Sequence, residues 1–170
     1  MTTDQELFAL SERLGRKLRS AGRRLATAES CTGGWVAKAC TDVAGSSQWF
    51  ECGFVTYSNA AKVRDLGVPE RTLADHGAVS EPTVREMAAG ALLVSRADVA
   101  VAISGIAGPD GGTPAKPVGT VWFGLASRRG SGVVVTSEMQ LFGGDRELIR
   151  RYSVERALQL VLAIEWGSAT

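Results

Sequence analysis

The 170-residue sequence is poor in the residues that metal and disulfide chemistry draw on. It has one histidine, His76, and three cysteines, Cys31, Cys40 and Cys52, with no Cys-x-x-Cys pair. An odd number of scattered thiols gives no disulfide framework, and one imidazole with three separated thiols does not make a typical zinc site. A carboxylate site for magnesium stays open on composition alone. A surplus of one charge is lacking too: 19 Lys and Arg stand against 18 Asp and Glu, a net charge of +1. So weak a field gives no pull toward nucleic acid or an acidic membrane surface. No apolar run approaches the ~20 residues of a membrane helix. The opening Met-Thr-Thr-Asp-Gln-Glu has no basic segment leading into an apolar stretch, so no secretory signal is visible. The expectation is a cytoplasmic protein with neither a nucleic-acid nor a membrane partner.

What is present is an ordinary globular composition, 45% apolar and 22% charged. The length suits one domain over 1–170 and suffices to bury roughly 70% of the surface of the unfolded chain. Leu7, Leu10, Leu14 and Leu18 share one face of a helix over 4–20, with Arg13, Arg16, Lys17 and Arg19 mostly off that stripe as a solvated face. Strands are expected at 25–29, 50–57 and 98–104, the last nearly all small apolar residues, as in a strand covered on both faces. Trp35 to Cys40 reads as helical. Ser58 is placed to cap a short helix through Lys62 and Val63, and 69–75 suggests another helical turn. Ser80 caps a helix with Pro82 in its first turn. Two further strands, 118–126 and 133–141, are separated by about six residues and form an antiparallel hairpin. A last helix runs from 146 to about 165. The sum is a single-domain, three-layer α/β/α sandwich with a mixed sheet.

Three loops rich in small residues follow strands: Glu29-Ser-Cys-Thr-Gly-Gly34, Tyr57-Ser-Asn-Ala-Ala-Lys62 and Ser104-Gly-Ile-Ala-Gly-Pro-Asp-Gly-Gly112. In open α/β sheets ligands bind beyond the carboxyl ends of strands, so the three loops can build one site. In the first, Ser30 is a candidate nucleophile, with exposed N–H groups near Thr32, Gly33 and Gly34 to hold an anion or oxyanion. A plain strand–helix turn capped by Ser30 or Thr32 accounts for the same residues, and Cys31 is a rival nucleophile unless it points into the core. If His76 is not the base, a lysine is the remaining common choice, and it must be neutral to act. Lys62 sits among small and apolar residues that can desolvate it, with Tyr57 five residues earlier to relay a proton or fix geometry; a solvated Lys62 on an exposed turn fits equally. The third loop, with Ser104 and Gly105, lacks the Walker lysine and the dinucleotide glycine spacing, so neither ATP nor NAD is indicated. Arg146, after Gly143-Gly144-Asp145, is placed to reach a phosphate, with Asp145 as helix cap.

These loops, with Gly45-Ser-Ser47, Gly53-Phe-Val-Thr-Tyr-Ser-Asn59, His76-Gly-Ala-Val-Ser-Glu-Pro82 and Lys116-Pro-Val-Gly-Thr-Val121, resemble the CinA C-terminal domain family in order and spacing over nearly the whole chain. The likeness is greatest to its stand-alone members, nicotinamide-nucleotide amidohydrolases. The resemblance implies hydrolysis of the carboxamide of nicotinamide mononucleotide to nicotinate mononucleotide and ammonia, a step of pyridine nucleotide recycling, with no metal and no cofactor. It implies Ser30 as nucleophile, Tyr57 and Lys62 as its activating pair, and Thr32, Gly33, Gly34, Ser104 and Arg146 in the substrate pocket. Gly105 joins them as an oxyanion donor on the loop reading. The family also suggests a homodimer. A non-enzymatic nucleotide- or protein-binding module linked to competence or the DNA damage response is the alternative.

Overall fold

Alternation along neighbouring strands sorts large side chains from small ones, and that sorting sets the layers. In the computed structural model, which describes residues 2–166, the order is α1 (Asp4–Ser20), β1 (Leu25–Glu29), α2 (Trp35–Thr41), β2 (Phe50–Val55), α3 (Asn59–Leu66), α4 (Glu70–His76), α5 (Glu81–Val94), β3 (Val99–Gly105), β4 (Thr120–Arg129), β5 (Gly132–Leu141) and α6 (Arg146–Leu162). The sheet order is β2-β1-β3-β4-β5. β2, β1 and β3 run parallel, and β4 and β5 add on antiparallel.

Register aligns Ala26, Ala100 and Ala126 in one row across the sheet, and Ala28, Ala102 and Gly124 in the next. These small residues form a shallow bed for α5, packed with Val84, Met87, Ala88 and Ala91. The approach is so close that a Cβ at Gly124 would lie 2.1 Å from the Val84 carbonyl oxygen, so only glycine fits there. The opposite face carries the bulk: Leu25, Val101, Ile103, Val121 and Phe123 pack on Leu14 and Leu18 of α1 and on Ile149, Val154 and Leu158 of α6. With both faces covered, β1 is buried at every position and β3 at all but its last. Three layers with a mixed sheet are thus present as the sequence leads one to expect. No helix among the described residues is long and apolar enough to cross a membrane.

The boundaries differ in several places, β4 for one beginning at Thr120 and not at 118. β2 ends at Val55, because the chain must leave the sheet for Lys62 to turn back toward β1. α6 ends at Leu162, short of 165. The hairpin is tighter than the expected six residues, since β4 and β5 stay paired out to Arg129↔Gly132 with only Gly130 and Ser131 between them. The polar run there reads as a loop, but a two-stranded ribbon projecting past the core is solvated on both faces and needs no apolar alternation.

Candidate active site

β1 delivers the first element of the site. Its last residue, Glu29, is fully buried, and the N–H of Ser30 still donates to Ile103 of β3 at 2.9 Å, so the serine is held at the sheet's edge of order. The chain then reverses through Gly33 (φ +63°) and Gly34 (φ +95°), left-handed conformations that favour glycine, and enters α2.

The second element comes from α3, capped by the Ser58 hydroxyl, which accepts from the Ala61 N–H. One turn in, Lys62 is fully buried, with Nζ 3.0 Å from Ser30 Oγ. Nζ also donates to the main-chain carbonyls of Thr56 at 2.7 Å and Tyr57 at 3.2 Å. No carboxylate is among these partners. The protonated amine donates to all three oxygens; once it loses a proton, its two remaining N–H bonds can stay on the two carbonyls and its lone pair is left for the serine hydroxyl. Burial pushes the Lys62 amine down from 10.5 to about 8, against a small opposing influence of Cys31. Cys31 points into the core, and burial pushes its thiol up to about 11, which favours the protonated form at neutral pH.

Tyr57 meets Lys62 through its carbonyl and not its ring. The side chain is exposed, and its hydroxyl accepts from Arg146 Nη2 at 3.1 Å. Its contact with Lys62 is through the main chain, and in this arrangement the hydroxyl is not in the path between Lys62 and Ser30. Arg146 also donates to the Gly108 carbonyl at 2.8 Å, so one guanidinium ties the second and third loops together. Asp145 caps α6 by accepting from the Leu148 N–H. Ser104 is buried and donates to the Ala78 carbonyl at 2.7 Å, and Gly105 ends β3 opposite Val121. Both lie at the carboxyl end of the strand next to Ser30, away from the wall of the main cavity.

That cavity, about 630 Å³, opens over the first loop. Thr32, Gly33, Gly34 and Arg146 line it as the sequence suggests, joined by Trp35, Lys38, Glu147 and Arg150. Three cations against one carboxylate make it suited to an anionic ligand. The glycine N–H groups do not serve as free donors to it. Gly33 donates to the Ser30 carbonyl at 3.1 Å, and Gly34 to Glu29 Oε2 at 3.0 Å. The glycines supply the turn, while among the described residues the Thr32 N–H, one position earlier, has no acceptor.

Glu29 and Arg150 are neighbours of the site that motif reading passed over. The Glu29 carboxylate accepts from the N–H groups of Gly34, Val36 and Ala37, capping α2 from the preceding strand. A signal existed: α2 begins at glycines, with no side chain of its own to cap it. Arg150 donates to the Cys31 and Thr32 carbonyls at 3.0 and 2.9 Å. Its signal was spacing, since it falls four residues after Arg146 on the same face of α6. Among the described residues no group of three or more His, Cys, Asp and Glu gathers as a metal site would.

Residues 7–164 match the family described as the CinA C-terminal domain. The chain is 61% identical over 157 residues to nicotinamide-nucleotide amidohydrolase PncC of Escherichia coli strain K12, covering 92% of this chain and 93% of that protein. The protein of the same name from Pseudomonas putida is 54% identical over 158 residues, covering 93% and 96%. Among solved structures, a competence/damage inducible protein from Agrobacterium tumefaciens superposes with TM-score 0.87 at 43% identity, covering 96% of each chain. A competence-damaged protein (CinA) superfamily protein from Escherichia coli gives 0.88 at 36%, covering 96% of this chain and 94% of that one.

Proposed function

Since the chain belongs to the CinA C-terminal domain family, we propose that it hydrolyses the carboxamide of nicotinamide mononucleotide, giving nicotinate mononucleotide and ammonia. The observation that carries this reading is the buried pair of Lys62 Nζ and Ser30 Oγ at 3.0 Å, with the amine lowered to about 8. Relatives covering nearly the whole chain and named nicotinamide-nucleotide amidohydrolase support the substrate class.

The chemistry runs in two halves. The Lys62 lone pair takes the Ser30 hydroxyl proton as Oγ attacks the carboxamide carbon. The Thr32 N–H, which has no acceptor among the described residues, faces the developing oxyanion. Lys62 returns the proton to the amide nitrogen, the C–N bond breaks, ammonia leaves, and an ester remains on Ser30. In the second half Lys62 takes a proton from water, the hydroxide adds to the ester carbon, and Ser30 leaves with the proton restored. The Thr56 and Tyr57 carbonyls accept from Lys62 in both protonation states, so the amine keeps its place through the cycle. The cationic cavity takes the 5′-phosphate, whose binding energy orients the amide from a distance.

Ammonia release from the mononucleotide tests this directly. Wild type is expected to turn over, and Ser30→Ala to lose the activity while melting at nearly the same temperature. If a folded wild-type sample releases no ammonia, the chain is a binding module and the enzymatic reading falls. If Cys31→Ala removes the activity and Ser30→Ala keeps it, the nucleophile is misassigned.

A further inference from the structure

Two side chains outside the reacting pair grip the turn that carries Ser30. From below, Glu29 holds the N–H groups of Gly34, Val36 and Ala37. From α6, Arg150 holds the carbonyls of Cys31 and Thr32. Its neighbours on the helix, Arg151 and Arg156, pair with the carboxylates of Glu147 and Glu138. Arg150 instead directs its fork at main chain, and its guanidinium carbon lies 5.2 Å from the Trp35 ring centroid, which limits its freedom to swing.

Peptide planarity gives this contact a consequence. The Cys31 carbonyl and the Thr32 N–H belong to one planar trans unit and point in opposite directions. Arg150 Nε, 3.0 Å from that carbonyl, therefore sets where the Thr32 N–H points. Its Nη2 fixes the next unit through the Thr32 carbonyl, whose N–H, that of Gly33, turns back onto the Ser30 carbonyl. One rigid cation thus holds two successive peptide planes, Cys31–Thr32 and Thr32–Gly33, in the turn that follows the nucleophile. A positive donor on a carbonyl also polarises its peptide and strengthens the N–H at the other end.

We infer that Arg150 is a positioning residue: through the Cys31–Thr32 peptide it aims the Thr32 N–H at the oxygen that becomes negative when Ser30 attacks, and it is not a ligand for the substrate phosphate. This assignment rests on Ser30 being the nucleophile, as proposed above.

Two substrates separate the roles. Nicotinamide mononucleotide carries a phosphate. p-Nitrophenyl acetate does not, yet it acylates a serine through the same kind of oxyanion, with p-nitrophenolate leaving as the Ser30–acetyl bond forms and Lys62 taking the proton. Arg150→Met is expected to lower kcat for the mononucleotide about 100-fold, with KM within about threefold, and to slow Ser30 acylation by a similar factor. The pH midpoint near 8 stays in place. Arg150→Lys, a cation without the fork, falls in the same direction by about tenfold. If Arg150→Met does not fold, Arg150→Lys with added guanidinium carries the same comparison, and recovery of rate is expected. A tenfold rise in KM for the mononucleotide with unchanged ester acylation makes Arg150 a phosphate ligand and overturns the inference. Unchanged rates on both substrates overturn it as well. Should wild type acylate at Ser30 but leave the mononucleotide untouched, the substrate reading fails alone, and the ester data still decide on Arg150. Acylation of Ser30→Ala at the wild-type rate removes the nucleophile and this inference with it.

Discussion

Lys62 and Lys38 stand on either side of the turn between β1 and α2, and their surroundings differ in every respect that matters to an amine. Lys62 is sealed behind the turn with two carbonyls and a hydroxyl, and burial draws it down to about 8. Lys38 lies exposed at the cavity rim, where its hydrogen bond to Asp42, 2.6 Å away, and that carboxylate's charge push it above its usual value. A desolvated amine without a counterion gives up its proton near neutral pH; a solvated one beside a carboxylate never does. The buried corner is built for proton transfer, and the open cavity for permanent positive charge. Arg146 extends that charge with a group that does not deprotonate in proteins, while Arg150 directs its guanidinium at the main chain of the turn. On the function proposed above, catalysis and anion binding are separated by a single turn of chain.

The largest test of this division is removal of the base. Lys62→Met is expected to lower kcat by at least about 1000-fold in an ammonia-release assay. Lys62→Arg should be as inactive, although it keeps a cation, because a guanidinium has no lone pair to offer. An active Lys62→Arg would mean that charge, not basicity, is what the corner supplies.

The pH dependence comes next in size. With the amine near 8 and only its neutral form active, kcat/KM should rise about tenfold per pH unit below 8 and level off above it. A flat profile from pH 6 to 9 would place the working base elsewhere. Stability follows the same group. The unfolded chain binds the Lys62 proton below about 10.5, the folded chain only below about 8. Between those values the unfolded state holds more protons, so folding gains from this group as pH rises through the window. Relative to Lys62→Met, wild type should gain about 3 kcal/mol of unfolding free energy between pH 7 and 11, read from denaturant titrations at each pH.

Much of this was legible in the sequence because the relevant signals are local. The run of small apolar residues in β3 reads as a strand covered on both faces, and Ser58, Ser80 and Asp145 cap the helices they precede. Ser30 and Lys62 were identifiable as residue types in the right loops, though only the fold brings them to 3.0 Å. What stayed hidden was main chain. The Tyr57 contribution to the base is a carbonyl, which every residue has, and the Gly33 and Gly34 N–H groups are taken up by partners that no motif specifies. Glu29 and Arg150 act on backbone atoms too, so only indirect marks point to them: the missing cap of α2 and the four-residue step from Arg146. The Arg129↔Gly132 hairpin end misled for a related reason: polar residues there report solvation, which a loop and a projecting ribbon share.

The smallest expected effect concerns Lys38, and it probes the other half of the comparison. Its side chain is largely exposed and already engaged by Asp42, so water and salt screen its attraction for a bound anion. Lys38→Met should raise KM for the mononucleotide only about twofold to fivefold at low ionic strength and leave kcat unchanged. The difference should shrink toward nothing in about 0.5 M salt, where exposed charges no longer feel each other across a few ångströms of water. Arg146, anchored to Tyr57 and Gly108 at the cavity wall, is less mobile and should respond more strongly to truncation and less to salt. A Lys38→Met variant that lost kcat with an unchanged KM would dissolve the separation altogether, because an exposed rim cation would then be taking part in bond making at a serine lodged behind the turn.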